Sequence, residues 1–151
     1  MVIVDTSIWV THLRRGSQHL KDLLLDVEVI CHPFILGELA CGNIRNRKEI
    51  LSLMQSLPML DIVEHEELLL FIEHHALMGK GLGFIDVHLM AAAILAGIPL
   101  WTQDKKLSEH IAKASLIDNI VDNAEDMISQ VDAVLLARDA PVPAERTVLP
   151  F

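Results

Sequence analysis

The sequence predicts an α/β domain in which helices cover both faces of a central parallel sheet. Short β-branched or apolar runs alternate along the chain with longer segments whose apolar residues recur at helical spacing. Chains with this alternation pack as a parallel sheet between layers of helices. With 151 residues, 52% of them hydrophobic, the chain is long enough for one ordinary domain and too apolar to be disordered.

The first half of the chain is predicted to contain two strands and four helices. Val2–Val4 is a β-branched run, and the three polar residues after it can cap a helix. Pro33 suits the first turn of another helix, since it lacks an N–H group. The predicted elements are strand Val2–Val4, a helix from Ile8 to about Arg14, helix Gln18–Leu25, strand Val27–Cys31, a helix from Pro33 to Gly42 and helix Arg45–Ser56.

The second half is predicted to continue the alternation and to end in a tail. Three closely spaced glycines, at 79, 81 and 83, precede the most apolar helix. The predicted elements are strand Leu60–Val63, helix Glu64–Met78, helix Asp86–Ala96, strand Ile98–Trp101, a helix from Asp104, strand Leu116–Val121 and helix 124–137. We therefore expect a domain over residues 1–137, with its core in about 1–120, and a proline-rich extended tail over 138–151.

Four acidic residues stand where this architecture would collect polar groups or surround a carboxylate with apolar side chains. Asp5 follows the first strand directly, and Asp104 comes three residues after the fourth. Asp86 opens the most apolar helix, and Glu38 lies inside another. Ligands of parallel sheets bind at the carboxyl ends of the strands. These carboxylates are therefore candidates for one site.

The physical chemistry of buried carboxylates favours a divalent cation at that site. Desolvating a carboxylate is costly unless a charge compensates it, and Mg²⁺ or Mn²⁺ prefers oxygen ligands. We assign Asp5 and Asp104 as direct ligands, with Asp86 and Glu38 binding directly or through water. Another interpretation is open, because each of the three aspartates could cap a helix and Glu38 could face solvent.

The charge distribution bears on a nucleic-acid partner. The chain has 12 basic and 21 acidic residues, a net charge of −9, and residues 1–50 are neutral. Proteins that bind nucleic acid by neutralising phosphates normally have the opposite balance. This argument loses force where carboxylates converge on cations, because the cations reverse the local sign.

Four motifs connect these acids to a known family. The segment Asp5–Trp9 resembles the opening motif of PIN-domain ribonucleases, specifically the VapC toxins of bacterial toxin–antitoxin modules. Segments His32–Ala40, Gly81–Leu89 and Leu100–Lys105 resemble the second, third and fourth motifs, and Arg45–Pro58 resembles the segment that VapC chains carry there. The motifs stand in the family's order over about residues 1–120.

The resemblance implies a three-layer α/β/α PIN fold and a Mg²⁺- or Mn²⁺-dependent endoribonuclease. It implies a toxin that inhibits translation by cutting RNA and is held inactive by a cognate VapB-like antitoxin. Glu109 and Ser108 stay unassigned, and the general base is not identified. By position, the catalytic and metal-binding acids would be Asp5, Glu38, Asp86 and Asp104, supported by the hydroxyls of Thr6 and Thr102.

Two other functions remain open. The chain could be a catalytically inactive PIN-like interaction module, or a Mg²⁺-dependent hydrolase of small phosphoesters. All four acids are present, which favours activity. Thr6 and Ser7 follow Asp5 where an Asp-x-Asp pair would be typical of the phosphatases, which disfavours the second alternative.

Location and partners can be predicted as well. No apolar run is long enough to span a membrane, and two cysteines fit a reducing compartment, so we expect a cytoplasmic protein. We expect a homodimer, because VapC-like proteins typically pair, with its interface on Leu68, Leu69, Phe71 and Ile72. We expect the antitoxin to direct an arginine or lysine at the four acids and to dock an apolar segment on Leu23, Leu24, Leu51 and Leu53.

The RNA contacts are predicted from the basic and aromatic residues. Trp9, Trp101 and Phe34 could stack on RNA bases or pack in the core, and for Trp101 we favour core packing. The candidates for phosphate contacts are Arg14, Arg15, Arg45, Arg47, Lys48 and Lys80.

Overall fold

The computed structural model describes residues 1–118. Residues 1–112 form one compact unit, and residues 113–118, the described start of a second unit, are helical. The elements of the first unit are β1 (Val2–Val4), α1 (Thr6–Arg15), α2 (Gln18–Leu25), β2 (Val29–Ile30), α3 (Pro33–Cys41), α4 (Arg47–Gln55), α5 (His65–His74), α6 (Phe84–Ala96), β3 (Leu100–Trp101) and the start of a helix, α7, which begins at residue 105 and is described as far as 118.

The three strands form a parallel sheet in the order β2-β1-β3, with β1 in the middle. The register pairs Val2 with Val29 and Ile3 with Leu100. A single parallel bridge between Cys31 and Met59 extends the sheet beyond β2. The expected three-layer α/β/α arrangement with a central parallel sheet is therefore confirmed, with its polar loops at the carboxyl ends of β1 and β3.

Local sequence signals explain where several helices begin and end. Ser17 caps α2 by accepting a hydrogen bond from the backbone N–H of Leu20. Gly16 ends α1 and Gly97 ends α6, both at positive φ angles of 78° and 63°. A residue with a Cβ is strained at such angles, which is why glycine is preferred there.

Helix α6 is the most buried helix of the first unit. All seven residues of Val87–Ala93 are buried, and three consecutive alanines allow close packing. Leu89 and Ala93 belong to the same apolar core as Ile3 of the central strand. The prediction that this helix is central to the fold is confirmed.

Three predicted elements differ from the structure by more than two residues at an end. Residues 60–63 form no strand, and Met59 makes only the one bridge, because Pro58 and Leu60 pair with a single residue of the neighbouring chain segment. The helix predicted to reach Met78 ends at His74. Residues 116–118 are helical, whereas a strand was predicted from Leu116.

The remaining predictions for the C-terminal region, including helix 124–137 and the tail 138–151, lie outside the described residues. No helix within residues 1–118 combines the length and the apolar content that crossing a bilayer requires.

Candidate active site and metal centre

The candidate site lies at the carboxyl edge of the sheet. Asp5 follows the central strand β1, and Thr102 follows its neighbour β3. The backbone N–H of Asp5 donates to the carbonyl of Trp101 at 2.9 Å, so the two strand ends leave the sheet side by side. Polar residues from the first and last motifs therefore meet here.

Asp5 is the best-buried of the four acids, with 8% of its surface exposed. Its Oδ2 accepts hydrogen bonds from the hydroxyls of Ser7 at 2.5 Å and Thr102 at 2.9 Å. The same oxygen also caps α1 through the backbone N–H of Ser7. Two hydroxyl donors on one oxygen compensate part of the desolvation of this buried carboxylate.

Backbone donors orient both of these hydroxyls. The N–H of Asp104 donates to Thr102 Oγ1 at 3.0 Å, and the N–H of Gln103 donates to Ser7 Oγ at 3.2 Å. Each hydroxyl therefore accepts a hydrogen bond from the backbone and donates one to Oδ2 of Asp5. These two sets of hydrogen bonds hold Oδ2 of Asp5 in one orientation.

Asp104 begins α7 and is itself exposed. Its Oδ1 accepts hydrogen bonds from the backbone N–H groups of Lys106 at 2.8 Å and Leu107 at 3.2 Å. The residue is thus a helix cap, and it is also tied to Asp5 through Thr102. A capping role and a role in the site are compatible for Asp104, because the capping hydrogen bonds use only Oδ1.

Glu38 reaches the site from α3. Thr6, next in the chain to Asp5, donates its hydroxyl proton to Glu38 Oε2 at 2.5 Å. Glu38 is half-buried and hydrogen-bonded to Thr6, which is not the environment of a fully solvated carboxylate. This bond joins the first and second motifs in space.

Asp86 lies in the first turn of α6. Its Oδ2 accepts the backbone N–H of Gly83 at 2.9 Å, which makes a capping interaction at the start of the helix. Three residues connect the end of α6 to β3, so the helix runs back along the sheet and its start points toward the carboxyl edge. Within residues 1–118, no hydrogen bond joins Asp86 to the other three acids.

All four carboxylates share one feature. In each, the hydrogen bonds from the described residues end on a single oxygen: Oδ2 of Asp5, Oε2 of Glu38, Oδ2 of Asp86 and Oδ1 of Asp104. The second oxygen of each is left to bind another group. Carboxylate oxygens are ligands that Mg²⁺ and Mn²⁺ prefer, so the donor types fit the predicted cation. Within residues 1–118, however, no three of these four acids have ligand oxygens within 4.8 Å of one another.

Sequence reasoning missed two polar residues of this network. The sequence suggests only a capping role for Ser7, yet its hydroxyl donates a hydrogen bond to Asp5 and accepts one from the backbone N–H of Gln103. Gln103 also pairs through its amide with Thr11, which ties the last motif to α1. Their adjacency to Thr6 and Asp104 was the available signal.

His32 supports the start of α3 beneath the site. Its ring is fully buried, and its Nδ1 accepts the backbone N–H of Phe34 at 3.1 Å, which caps the helix that carries Glu38. Burial, and secondarily the nearby His88, lowers the pKa of His32 from 6.5 to about 4. The ring therefore stays neutral near pH 7 and can act as a hydrogen-bond acceptor.

The aromatic residues are mainly packed rather than presented. Trp9 is buried in the core, which excludes it as a stacking platform. Phe34 packs edge-on against His32 and His88, and Trp101 against His19. Trp101 is partly buried and packs against the core, so the preference for core packing is confirmed for Trp101.

Burial corrects the predicted interface residues on α5. Leu68 and Phe71 are buried within the unit, so they cannot form a dimer contact, whereas Leu69 and its neighbour Leu70 are exposed. The reason is that the inner face of α5 packs against α6 and therefore takes the larger share of the apolar residues.

The predicted antitoxin surface is corrected in a similar way. Of the four leucines proposed, only Leu53 is exposed, while Leu23, Leu24 and Leu51 are partly buried against the core.

Comparison with known proteins agrees with this fold. A model of the PIN domain family matches residues 2–113. The chain therefore belongs to the PIN-domain family.

Two curated relatives narrow the resemblance. Ribonuclease VapC32 from Mycobacterium tuberculosis strain CDC 1551 / Oshkosh is 39% identical over 117 residues, which is 77% of this chain and 94% of the relative. Ribonuclease VapC32 from strain ATCC 25618 / H37Rv matches with the same identity and coverage. The resemblance to VapC-type PIN ribonucleases that the motifs predicted is confirmed.

Proposed function

We propose that this protein is the toxin of a toxin–antitoxin module and acts as a Mg²⁺- or Mn²⁺-dependent endoribonuclease that inhibits translation by cutting RNA. The observation that carries the proposal is the hydrogen-bonding pattern that Asp5, Glu38, Asp86 and Asp104 have in common. Each carboxylate has one oxygen held by hydrogen bonds and the other left for a cation. The similarity to Ribonuclease VapC32 supports the RNA substrate.

The residues of the chain have distinct roles in this proposal. Asp5 and Asp104 hold the cation directly, while Glu38 and Asp86 bind it directly or through water. Thr102 and Ser7 orient Asp5, and Thr6 orients Glu38. A divalent cation in such a site lowers the pKa of water and stabilises charge on phosphate oxygens during phosphodiester hydrolysis.

Electrostatics explain how an acidic protein admits RNA. Four carboxylates without cations would repel a phosphate, whereas one or two divalent cations bring the site close to neutrality. RNA binding at the site should therefore require the metal, in addition to any requirement of the chemical step.

The test is RNA cleavage by the wild type and by Asp5→Asn and Asp104→Asn, with Mg²⁺, with Mn²⁺ and with EDTA. We expect wild-type cleavage with either metal, loss of cleavage in EDTA, and loss of at least about 100-fold in both variants. Asparagine still accepts a capping hydrogen bond, so the melting temperature in EDTA should be maintained.

The outcomes separate the interpretations of the acids. Wild-type rates in both variants would refute the site assignment. A large loss of melting temperature in EDTA would mean that Asp5 and Asp104 act mainly as structural caps. Glu109→Gln is a matched control, because Glu109 is an exposed acid of α7 with no assigned role in the site.

We also propose a VapB-like antitoxin that directs an arginine or lysine at the four acids. A guanidinium can engage a carboxylate through two hydrogen bonds and would compete with the cation. The net charge of −9 should speed encounter with a basic segment, so the association rate should fall as salt rises. If the association rate of toxin and antitoxin, measured by stopped flow, is independent of salt, electrostatic attraction does not speed their encounter and this part of the proposal is refuted.

A cytoplasmic homodimer completes the proposal. Leu69 and Leu70 present an exposed apolar pair on α5, with 70% of Leu70 exposed. Burying such a pair against its symmetry mate is favourable.

A further inference from the structure

A groove of about 400 Å³ begins beside Glu38 and Thr6. It follows one face of α1 as far as Arg14, and its other wall is formed by residues of α3 and of the segment between α3 and α4. Arg14 is eight positions after Thr6, so the groove extends about 12 Å along the helix. That volume lies within the range of pockets for small organic ligands, about 300–1,000 Å³.

The chemistry of the groove differs from one part to another. Glu38 and Thr6 line the part that belongs to the carboxylate site. The lining also includes the basic residues Arg14 and Arg45, and the apolar residues Val10, Leu13 and Ile44 contribute to its walls. An occupant that fits must therefore combine an anionic group with an apolar or aromatic surface.

Arg14 and Arg45 are available to bind such an anion. Both are exposed, and within residues 1–118 neither forms an ion pair. The neighbouring Arg47 is different, because its Nη2 and Nε donate to the carbonyl of Ala40 at 2.7 and 3.2 Å. Arg47 thus holds the α3–α4 connection in place, while the two groove arginines remain open to a ligand.

We propose that this groove binds the RNA nucleotide that flanks the bond to be cut, with its phosphate on Arg14 and Arg45 and its base and ribose against Val10, Leu13 and Ile44. The proposal rests on the ribonuclease function proposed above and adds a substrate-binding site to it. Asn43, at the same groove, places an amide with both a donor and an acceptor beside the base. Single-stranded RNA is read through such base edges and apolar contacts.

Charge favours RNA over the antitoxin as the occupant. A basic antitoxin segment would be repelled by two arginines, whereas a phosphate is attracted to them. The carboxylates next to the groove attract cations, and the arginines attract anions. An RNA strand whose cut phosphate lies at the metal can place its neighbouring phosphate on the arginines.

The proposal is tested with Arg14→Gln and Arg45→Gln, and Arg15→Gln is the matched control. Arg15 is the next residue of the same helix, is exposed, and does not line the groove. The probe is a labelled single-stranded RNA pool of mixed sequence, with binding measured in Ca²⁺, which also takes oxygen ligands, and cleavage measured in Mg²⁺, in both cases on proteins whose four site acids are unchanged.

We expect each groove substitution to weaken RNA binding by about tenfold and to raise KM with little change in kcat. Removing one phosphate contact to single-stranded RNA should also lower the slope of log affinity against log salt by about 0.7. Arg15→Gln should change none of these quantities as strongly. Asn43→Ala should shift the nucleotide preference beside the cleavage site.

Each outcome has a defined meaning. If the wild type cleaves the pool and both groove variants behave like Arg15→Gln, the groove proposal is overturned and the ribonuclease function stands. If the wild type cleaves no RNA with either metal, the proposed function itself fails. If the arginine variants alter antitoxin affinity while RNA binding and cleavage stay unchanged, the groove is a protein-docking site and the proposal is likewise overturned.

Discussion

Acidification should destabilise this protein through one buried histidine. His32 is fully buried, and its Nδ1 accepts the hydrogen bond that caps α3. An accepting Nδ1 requires the proton on Nε2, and Nε2 has no hydrogen-bond partner among the described residues. A second proton would therefore remove the cap acceptor and place a charge in an apolar environment.

The magnitude follows from the pKa. Burial lowers the pKa of His32 from 6.5 to about 4, with a smaller contribution from His88. The unfolded chain binds the proton as the pH falls below about 6.5, but the folded chain does not until about pH 4. Stability is thus present above the unfolded pKa and is lost as pH falls toward 4. At about 1.4 kcal/mol per pKa unit, the loss is about 3 kcal/mol.

The assay is urea unfolding in EDTA at pH 7 and pH 4.5, for the wild type and for His32→Asn. Asparagine retains a capping acceptor but does not ionise, so the variant should be less stable at pH 7 and should lose less free energy on acidification. Carboxylates also titrate in this range, so the difference between the two proteins isolates His32. His19→Asn is the control, because His19 is exposed. Equal losses in the wild type and His32→Asn would refute the reasoning.

Two further predictions concern the site and the assembly. Thr102→Val removes the hydroxyl between Asp5 and Asp104 at nearly constant volume, so metal affinity and cleavage should fall by about 10- to 100-fold. Thr102→Ser keeps the hydroxyl and should retain both. Equal metal affinities of the valine and serine variants in a titration would contradict this. Leu70→Glu introduces a charge at an apolar contact, so it should raise the dissociation constant of the dimer by more than about tenfold in analytical ultracentrifugation. Leu25→Glu, on the exposed end of α2, should not. A monomeric wild type would contradict the proposed interface.

Local signals in the sequence were sufficient for much of the fold. Val2–Val4 and Gln18–Leu25 have the predicted bounds, because a β-branched run and a Ser17 cap act through neighbouring residues alone. The four acids were recognisable for a related reason. Each follows a strand or lies in a motif whose residues are close together in sequence, so their approximate location could be predicted without tertiary contacts.

Only the tertiary structure decided which partners each residue meets. Residues 60–63 form no strand because pairing depends on a neighbouring segment of matching length, and within residues 1–118 only Cys31 pairs here. Leu68 and Leu70 are chemically identical, and their different burial depends on which face of α5 meets the rest of the unit.

The site divides along the same line. The carboxylates and the hydroxyl residues are recognisable one motif at a time, and the sequence by itself predicts, through its resemblance to the family, that they belong to a PIN-type site. Bonds such as Thr6 to Glu38 and Thr102 to Asp5 join residues 32 and 97 positions apart. The groove that selects Arg14 and Arg45 among six candidate cations also exists only in the folded chain. Sequence patterns carry information about neighbours within a helix or strand, whereas contacts between elements depend on packing geometry, which the folded structure alone supplies.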